Sequence, residues 1–139
     1  MANPNPYFKY TVGLNNVGSY QASARPFVKS DISVPASGAI AGATELTFPN
    51  VTKFVTIRND ATDASSEIRV AFSRDGLDEP NRNFFTLAQS SSISLEYRVT
   101  RLYLMSGVGG YTSKATVIAG LTNIPSDHLT GSWAGLEGV

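Results

Sequence analysis

The chain has 139 residues, the size of one domain and enough to bury a core without staples. Charged residues make up only 16%, and 11 basic and 11 acidic side chains cancel without either sign clustering, so the basic stripe of a nucleic-acid binder is missing. There are no cysteines, which removes disulfides, thiolate metal sites and cysteine nucleophiles, and no apolar run approaches the ~20 residues that cross a bilayer.

In chain order, period two dominates. Strands are expected near 8–13, 18–29, 41–48, 51–59, 67–73, 84–87, 92–105 and 113–122. In the fourth, Val55 and Ile57 alternate with Thr56 and Arg58. In EIRVAFS, Ile68, Val70 and Phe72 oppose Glu67, Arg69 and Ser73, and in SISLEYRV, Ile93, Leu95, Tyr97 and Val99 oppose Ser94, Glu96 and Arg98. Such alternation marks half-buried strands. After Val99 the phase slips, because Leu102 and Leu104 fall on even numbers. A bulge near Thr100 or a corner between sheets explains the slip, and the lack of Gly or Pro in RVTRLYL favours the bulge.

Turn signals separate the runs at Asn15-Asn16, Pro35–Gly38, Pro49-Asn50, Asn59-Asp60, Asp75-Gly76, Gly107–Gly110 and Pro125. About eight short strands with frequent turns predict an all-β antiparallel β-sandwich with jelly-roll-like strand order. Its core should include Val55, Ile57, Ile68, Val70, Phe72, Leu95, Tyr97, Val117 and Leu121. The chain divides into an extended N-terminal segment (1–7), the sandwich (8–125) and an extended C-terminal tail (126–139).

Catalytic constellations are weak. The sole histidine, His128, lies in PSDHLTG beside Ser126 and Asp127, whereas a hydrolase triad is assembled from distant positions. An exposed loop histidine is the simpler reading. Asp60, Asp63 and Glu67, and Asp75, Asp78 and Glu79, form two acidic loops. Neither has the spacing of a defined calcium loop, and Asp is common in turns for local reasons. Glu67 and Glu96 offer paired carboxylates, yet their phase groups them with Arg69 and Arg98, which predicts cross-strand ion pairing. Gly107–Gly110 precedes a strand, not a helix, so it lacks a phosphate cradle. Asn50-Val51-Thr52 matches a glycosylation acceptor, but MANPNPYF does not have the build of a secretory signal, so assembly inside a cell is expected. Tyr10, Tyr20, Tyr103 and Tyr111 are candidate sugar platforms that strand placement makes better core or sheet-face residues. No catalytic residue, metal ligand or cofactor is assigned.

Taken in order, VGLNNVGSYQAS (12–23), ELTFPNVTKFVTIRN (45–59), IRVAFS (68–73), NFFTL (83–87), LEYRVTRLYL (95–104), AGLTNIP (119–125) and GSW (131–133) form a series that resembles small jelly-roll-like structural proteins of tailed phages and large DNA viruses, especially marine ones. The resemblance implies a virion component, a capsid decoration (cement) or minor capsid protein, assembled in the host cell. Its partners would be the major capsid protein, copies of itself or both, with no nucleic acid and no membrane. The alternative is a glycan- or receptor-binding sandwich on a tail or fibre.

The ends bear on that choice. GSWAGLEGV has no strand or helix period, and its flanking glycines let backbone lie close to another surface. Trp133 and Leu136 are therefore the expected anchors of a C-terminal arm, since Trp is enriched at interface hot spots. Tyr7 and Phe8 have the same character at the other end. The competing expectation is that Trp133 plugs the chain's own sandwich.

Overall fold

In a computed structural model, which describes residues 25–36, 40–62, 66–78, 80–107 and 112–128, the period-two runs pair into two antiparallel sheets. The strands are β1 (Arg25–Val34), β2 (Thr44–Thr47), β3 (Asn50–Asn59), β4 (Ile68–Ala71), β5 (Phe85–Leu87), β6 (Ser92–Leu95), β7 (Arg101–Ser106) and β8 (Ser113–Pro125). Sheet A has the order β1-β8-β3-β6 and sheet B the order β2-β7-β4-β5. Every connection from β1 to β8 crosses between the sheets except that between β4 and β5, which pair with each other in sheet B, and this is the jelly-roll arrangement of two interleaved Greek keys. The expected all-β antiparallel sandwich is the fold.

The inner faces supply one continuous aliphatic core. Val34, Val55, Ile57, Ala115, Val117, Ala119 and Leu121 from sheet A meet Leu46, Ile68, Val70, Leu102 and Leu104 from sheet B, all buried. Phe27 and Phe48 close one side, edge to face at 5.1 Å. Of the expected core residues, Val55, Ile57, Ile68, Val70, Val117 and Leu121 are buried, while Phe72 and Leu95 are half-buried. Tyr97 is not a core residue. It is 54% exposed, with its ring edge against Phe72 at 5.6 Å.

The reason lies in the segment expected as one strand over 92–105. It is two strands in different sheets, with residues 96–100 crossing between them. The phase slip marks a corner rather than a bulge. Buried Thr52 holds the corner: its hydroxyl donates to Tyr97 O (2.8 Å) and accepts from Val99 N (3.0 Å), while Thr52 N donates to Val99 O (3.1 Å). Phe48 N donates to Thr100 O at 2.8 Å. The crossing backbone is thus satisfied without a ladder.

A bulge does occur, in β1. Against β8 the register shifts between Lys29 and Ile32, where Asp31 has φ of 54°. One extra residue exchanges the faces, so Phe27 and then Ile32 and Val34 all reach the core. The strand expected at 18–29 is described from Arg25 and continues to Val34; the one expected at 8–13 lies outside the described residues.

Sheet B carries a second layer. The chain between β4 and β5 turns through a 3-10 segment, Asp75–Leu77, and lays Leu77 and Phe84 on the outward residues Ala71, Tyr103 and Met105, with Ala43 and Ile40 at the border. Arg74 fastens it. Its Nη1 donates to Ala41 O at 2.7 Å, its Nη2 sits 3.4 Å from Glu45 Oε2, and its guanidinium lies 5.5 Å from the Tyr103 ring centroid.

Candidate interaction surface

The outer face of sheet A is read row by row from the pairing register. One row across the strands is Pro26, Gly120 and Phe54; the next is Val28, Ile118, Thr56 and Ser94; a third is Thr116, Arg58 and Ser92. The first two rows hold no charge. Val28 is 64% exposed and Ile118 43%, and they stand directly opposite each other on β1 and β8. Thr56 and Ser94 join hydroxyls at 2.8 Å on the β3–β6 side, satisfying each other without ions.

The third row begins a polar half. Asp60 accepts from Arg58 Nε at 2.5 Å and from the Thr116 hydroxyl. The bond from Arg58 and, after it, the bond from Thr116 hold the Asp60 carboxyl below the ordinary aspartate range, against the opposing effect of partial burial. Lys114 and Asp31 pair at 3.5 Å on the same side. The face is therefore graded from uncharged to ionic along the strands.

The end that carries the two uncharged rows is also where the terminal segments join, with Arg25 at its rim donating to Asn50 Oδ1 at 3.2 Å. β1 begins at Arg25 opposite Leu121, and β8 ends at Pro125 opposite Asn50. Residues 1–24 and 129–139 both attach at this pole of sheet A. Tyr7, Phe8, Trp133 and Leu136 lie outside the described residues, so the register locates only their points of attachment. The tail expected to be extended from 126 opens instead with a 3-10 turn, Ser126–His128. Ser126 N donates to Pro49 O at 3.3 Å, so the chain is still held beside the β2–β3 connection there.

The other candidates are placed as follows. Glu67 adjoins β4 of sheet B and Glu96 follows β6 of sheet A, so they do not sit on paired strands as expected. Arg98 instead donates to Lys53 O at 2.6 Å, and Arg69 stacks 4.6 Å from the Phe84 ring centroid. In the acidic loops, Asp63 and Glu79 lie outside the described residues. Asp75 begins the turn that buries Leu77, and its carbonyl accepts from Asp78 N and Asn81 Nδ2. Among the described residues no three His, Cys, Asp or Glu side chains converge as a metal site. Tyr103 is buried under the second layer, which removes it as a sugar platform; Tyr10, Tyr20 and Tyr111 lie outside the described residues. Sequence reasoning missed the Val28–Ile118 pair. The signal was present in VIAGL, an apolar run without alternation, which suits a strand covered on both faces.

Comparison with known proteins adds little. No protein-family model matches the chain, and no curated protein matches it. A solved structure of hydroxypropylphosphonic acid epoxidase from S. wedmorenis in complex with fosfomycin aligns with a TM-score of 0.43 at 14% identity, over 68% of this chain and 42% of the epoxidase. The chain spans less than half of that enzyme's length, and a likeness of that degree carries no inference about activity.

Proposed function

We propose that the protein is a structural component of a virion, a capsid decoration or minor capsid protein. It docks on a major capsid lattice through the two uncharged rows of sheet A and the terminal segments that join at that pole. The observation that carries this reading is the coincidence of the two: an apolar, uncharged patch on the sandwich and the attachment points of both terminal segments at the same pole. A sheet that supports repeated docking needs one face free and the rest of its surface self-sufficient, and the second layer over sheet B supplies the latter. The jelly-roll order is common to capsid, lectin and cupin domains, so fold alone does not choose among them. The interior favours a scaffold over a ligand cavity, because the inward positions are filled by aliphatic side chains.

Counting copies tests the reading. Quantitative mass spectrometry of purified particles should find this chain in a fixed, high ratio to the major capsid protein. A few copies per particle would favour a tail or fibre module, and absence from particles would overturn the proposal.

A further inference from the structure

Two apolar runs in this chain lack alternation: Leu102–Met105 in β7 and Val117–Leu121 in β8. Both occupy interior strands of their sheets, and both read as strands meant for cover on two sides. For β7 the second cover is the 72–84 chain, which buries Tyr103 and Met105. For β8 the outward residue Ile118 remains 43% exposed beside Val28 at 64%. The patch of Pro26, Val28, Phe54, Ile118 and Gly120 is thus a half-covered site, with Gly120 a buried, side-chain-free position between Pro26 and Phe54.

We propose that this patch receives segment 129–139 of a second copy of the chain, with Trp133 seated over the Gly120 row. The inference rests on the docking role proposed above and names the first partner of that surface. Three features select this occupant. The segment is 11 residues long and carries one charged side chain, Glu137, with Leu129, Trp133, Leu136 and Val139 as its large apolar groups, so it suits an uncharged apolar floor. Its point of departure lies at the same end of sheet A as the patch, beyond Pro125 on the strand that carries Ile118 and Gly120, so two copies related by a two-fold axis at this pole exchange segments reciprocally and close as a dimer. Its heading favours the neighbour over its own sheet. Ser126 is still bonded to Pro49 beyond the end of β8, so returning to Gly120 on the same molecule requires reversing the chain within the few residues before Trp133. Continuing carries the Trp to whatever abuts the pole. Reciprocal exchange gives two contacts for one encounter, and the second forms at the high effective concentration set by the first.

The test uses the purified full chain, whose single Trp makes its emission a direct report on residue 133. Sedimentation and tryptophan emission are followed across a concentration series for the native chain, for Ile118→Lys, for Val28→Lys and for a chain ending at residue 128. Circular dichroism confirms that each is folded. The native chain should dimerise with a blue shift of emission that grows with concentration. Each patch variant and the truncated chain should weaken dimerisation by about tenfold or more. Mixing Ile118→Lys, which keeps the segment, with the truncated chain, which keeps the patch, allows one of the two exchanges and should restore association in part, with a blue shift that neither shows alone. A blue shift independent of concentration and lost in Ile118→Lys would place the segment on its own sheet and overturn the proposal. Dimerisation that survives truncation, or a native chain monomeric throughout with solvated Trp, would overturn it equally. None of these results depends on particles, so copy number in virions judges the functional reading separately.

Discussion

On sheet B, the outward residues Ala71, Tyr103 and Met105 meet Leu77 and Phe84 from a loop that folds back over them, and they are buried. On sheet A, the outward residues Val28 and Ile118 hold comparable positions across paired strands and remain at the surface. The local sequences look alike, LYLM against VIAGL. What differs is the supply of chain. The β4–β5 connection is long enough to form a 3-10 turn and return, and Arg74 ties it to the turn before β2 through Ala41 O and to β2 itself through Glu45. Among the described residues, the outward face of sheet B is completed by a connection that reaches it, and Val28 and Ile118 on sheet A have no such cover.

The largest expected effect breaks the covered side. Leu77→Ala should cost about 2–5 kcal/mol, because a fully buried side chain leaves a cavity that a pinned loop fills incompletely. Chemical denaturation would measure it. A cost under about 1 kcal/mol, the level of an ordinary surface change, would show that the loop is an ornament and that the two sheets do not differ as described. Next comes Thr52→Val, which keeps the shape but leaves Val99 N without its acceptor at the corner between the sheets. A buried donor left unpaired costs about 1–3 kcal/mol. Since Thr52 serves both sheets equally, this variant calibrates the first. Loss of stability there without change in the Leu77→Ala ranking would separate corner from cover.

The alternation in 51–59 and 67–73 was enough to place β3 and β4, because each has one face on a single aliphatic interior, while β8 was placed by an apolar run bounded by turn signals at Gly107–Gly110 and Pro125. Two features were hidden by the physics that made them. The corner at 96–100 contains no Gly or Pro, since Thr52 supplies its hydrogen bonds from a distant strand; only the change of phase betrayed it. The bulge in β1 depends on Asp31 accepting φ of 54°, and an aspartate between Ser30 and Ile32 looks like any polar strand residue. The receiving patch was equally obscure, because Val28 and Ile118 become neighbours only through the β1–β8 register. The expected anchors Trp133, Leu136, Tyr7 and Phe8 followed from local composition, which says where a large apolar group stands in the chain and nothing about what it meets.

Acid sharpens the division within sheet A. The Asp60 carboxyl is held below its usual value by Arg58 and Thr116, so in the folded protein it stays ionised to lower pH than in the unfolded chain. Its contribution is therefore complete above the unfolded value, near 3.8, and is lost as pH falls through the lower folded value. Asp60→Asn should flatten part of the decline of stability below about pH 4 and cost about 1 kcal/mol or less at neutral pH. An unchanged acid limb in the variant would mean that the Arg58–Asp60–Thr116 cluster does not organise the polar half.

The smallest effect is expected at the open face itself. Val28 is 64% exposed on an edge strand, opposite Ile118, so Val28→Thr exchanges a methyl for a hydroxyl that water can solvate. Threonine keeps the β-branched shape that suits a strand. The isolated subunit, at concentrations where it is monomeric, should change by no more than about 0.5 kcal/mol. On the covered sheet, Met105→Thr at an outward position shortens a buried side chain as well as placing a hydroxyl in the Leu77 cluster, so its cost should be several times larger. A large gap between the two costs is what an open face on sheet A and a covered face on sheet B require. If Val28→Thr costs the monomer as much as Met105→Thr, Val28 is already covered within one subunit, and sheet A is no more open than sheet B.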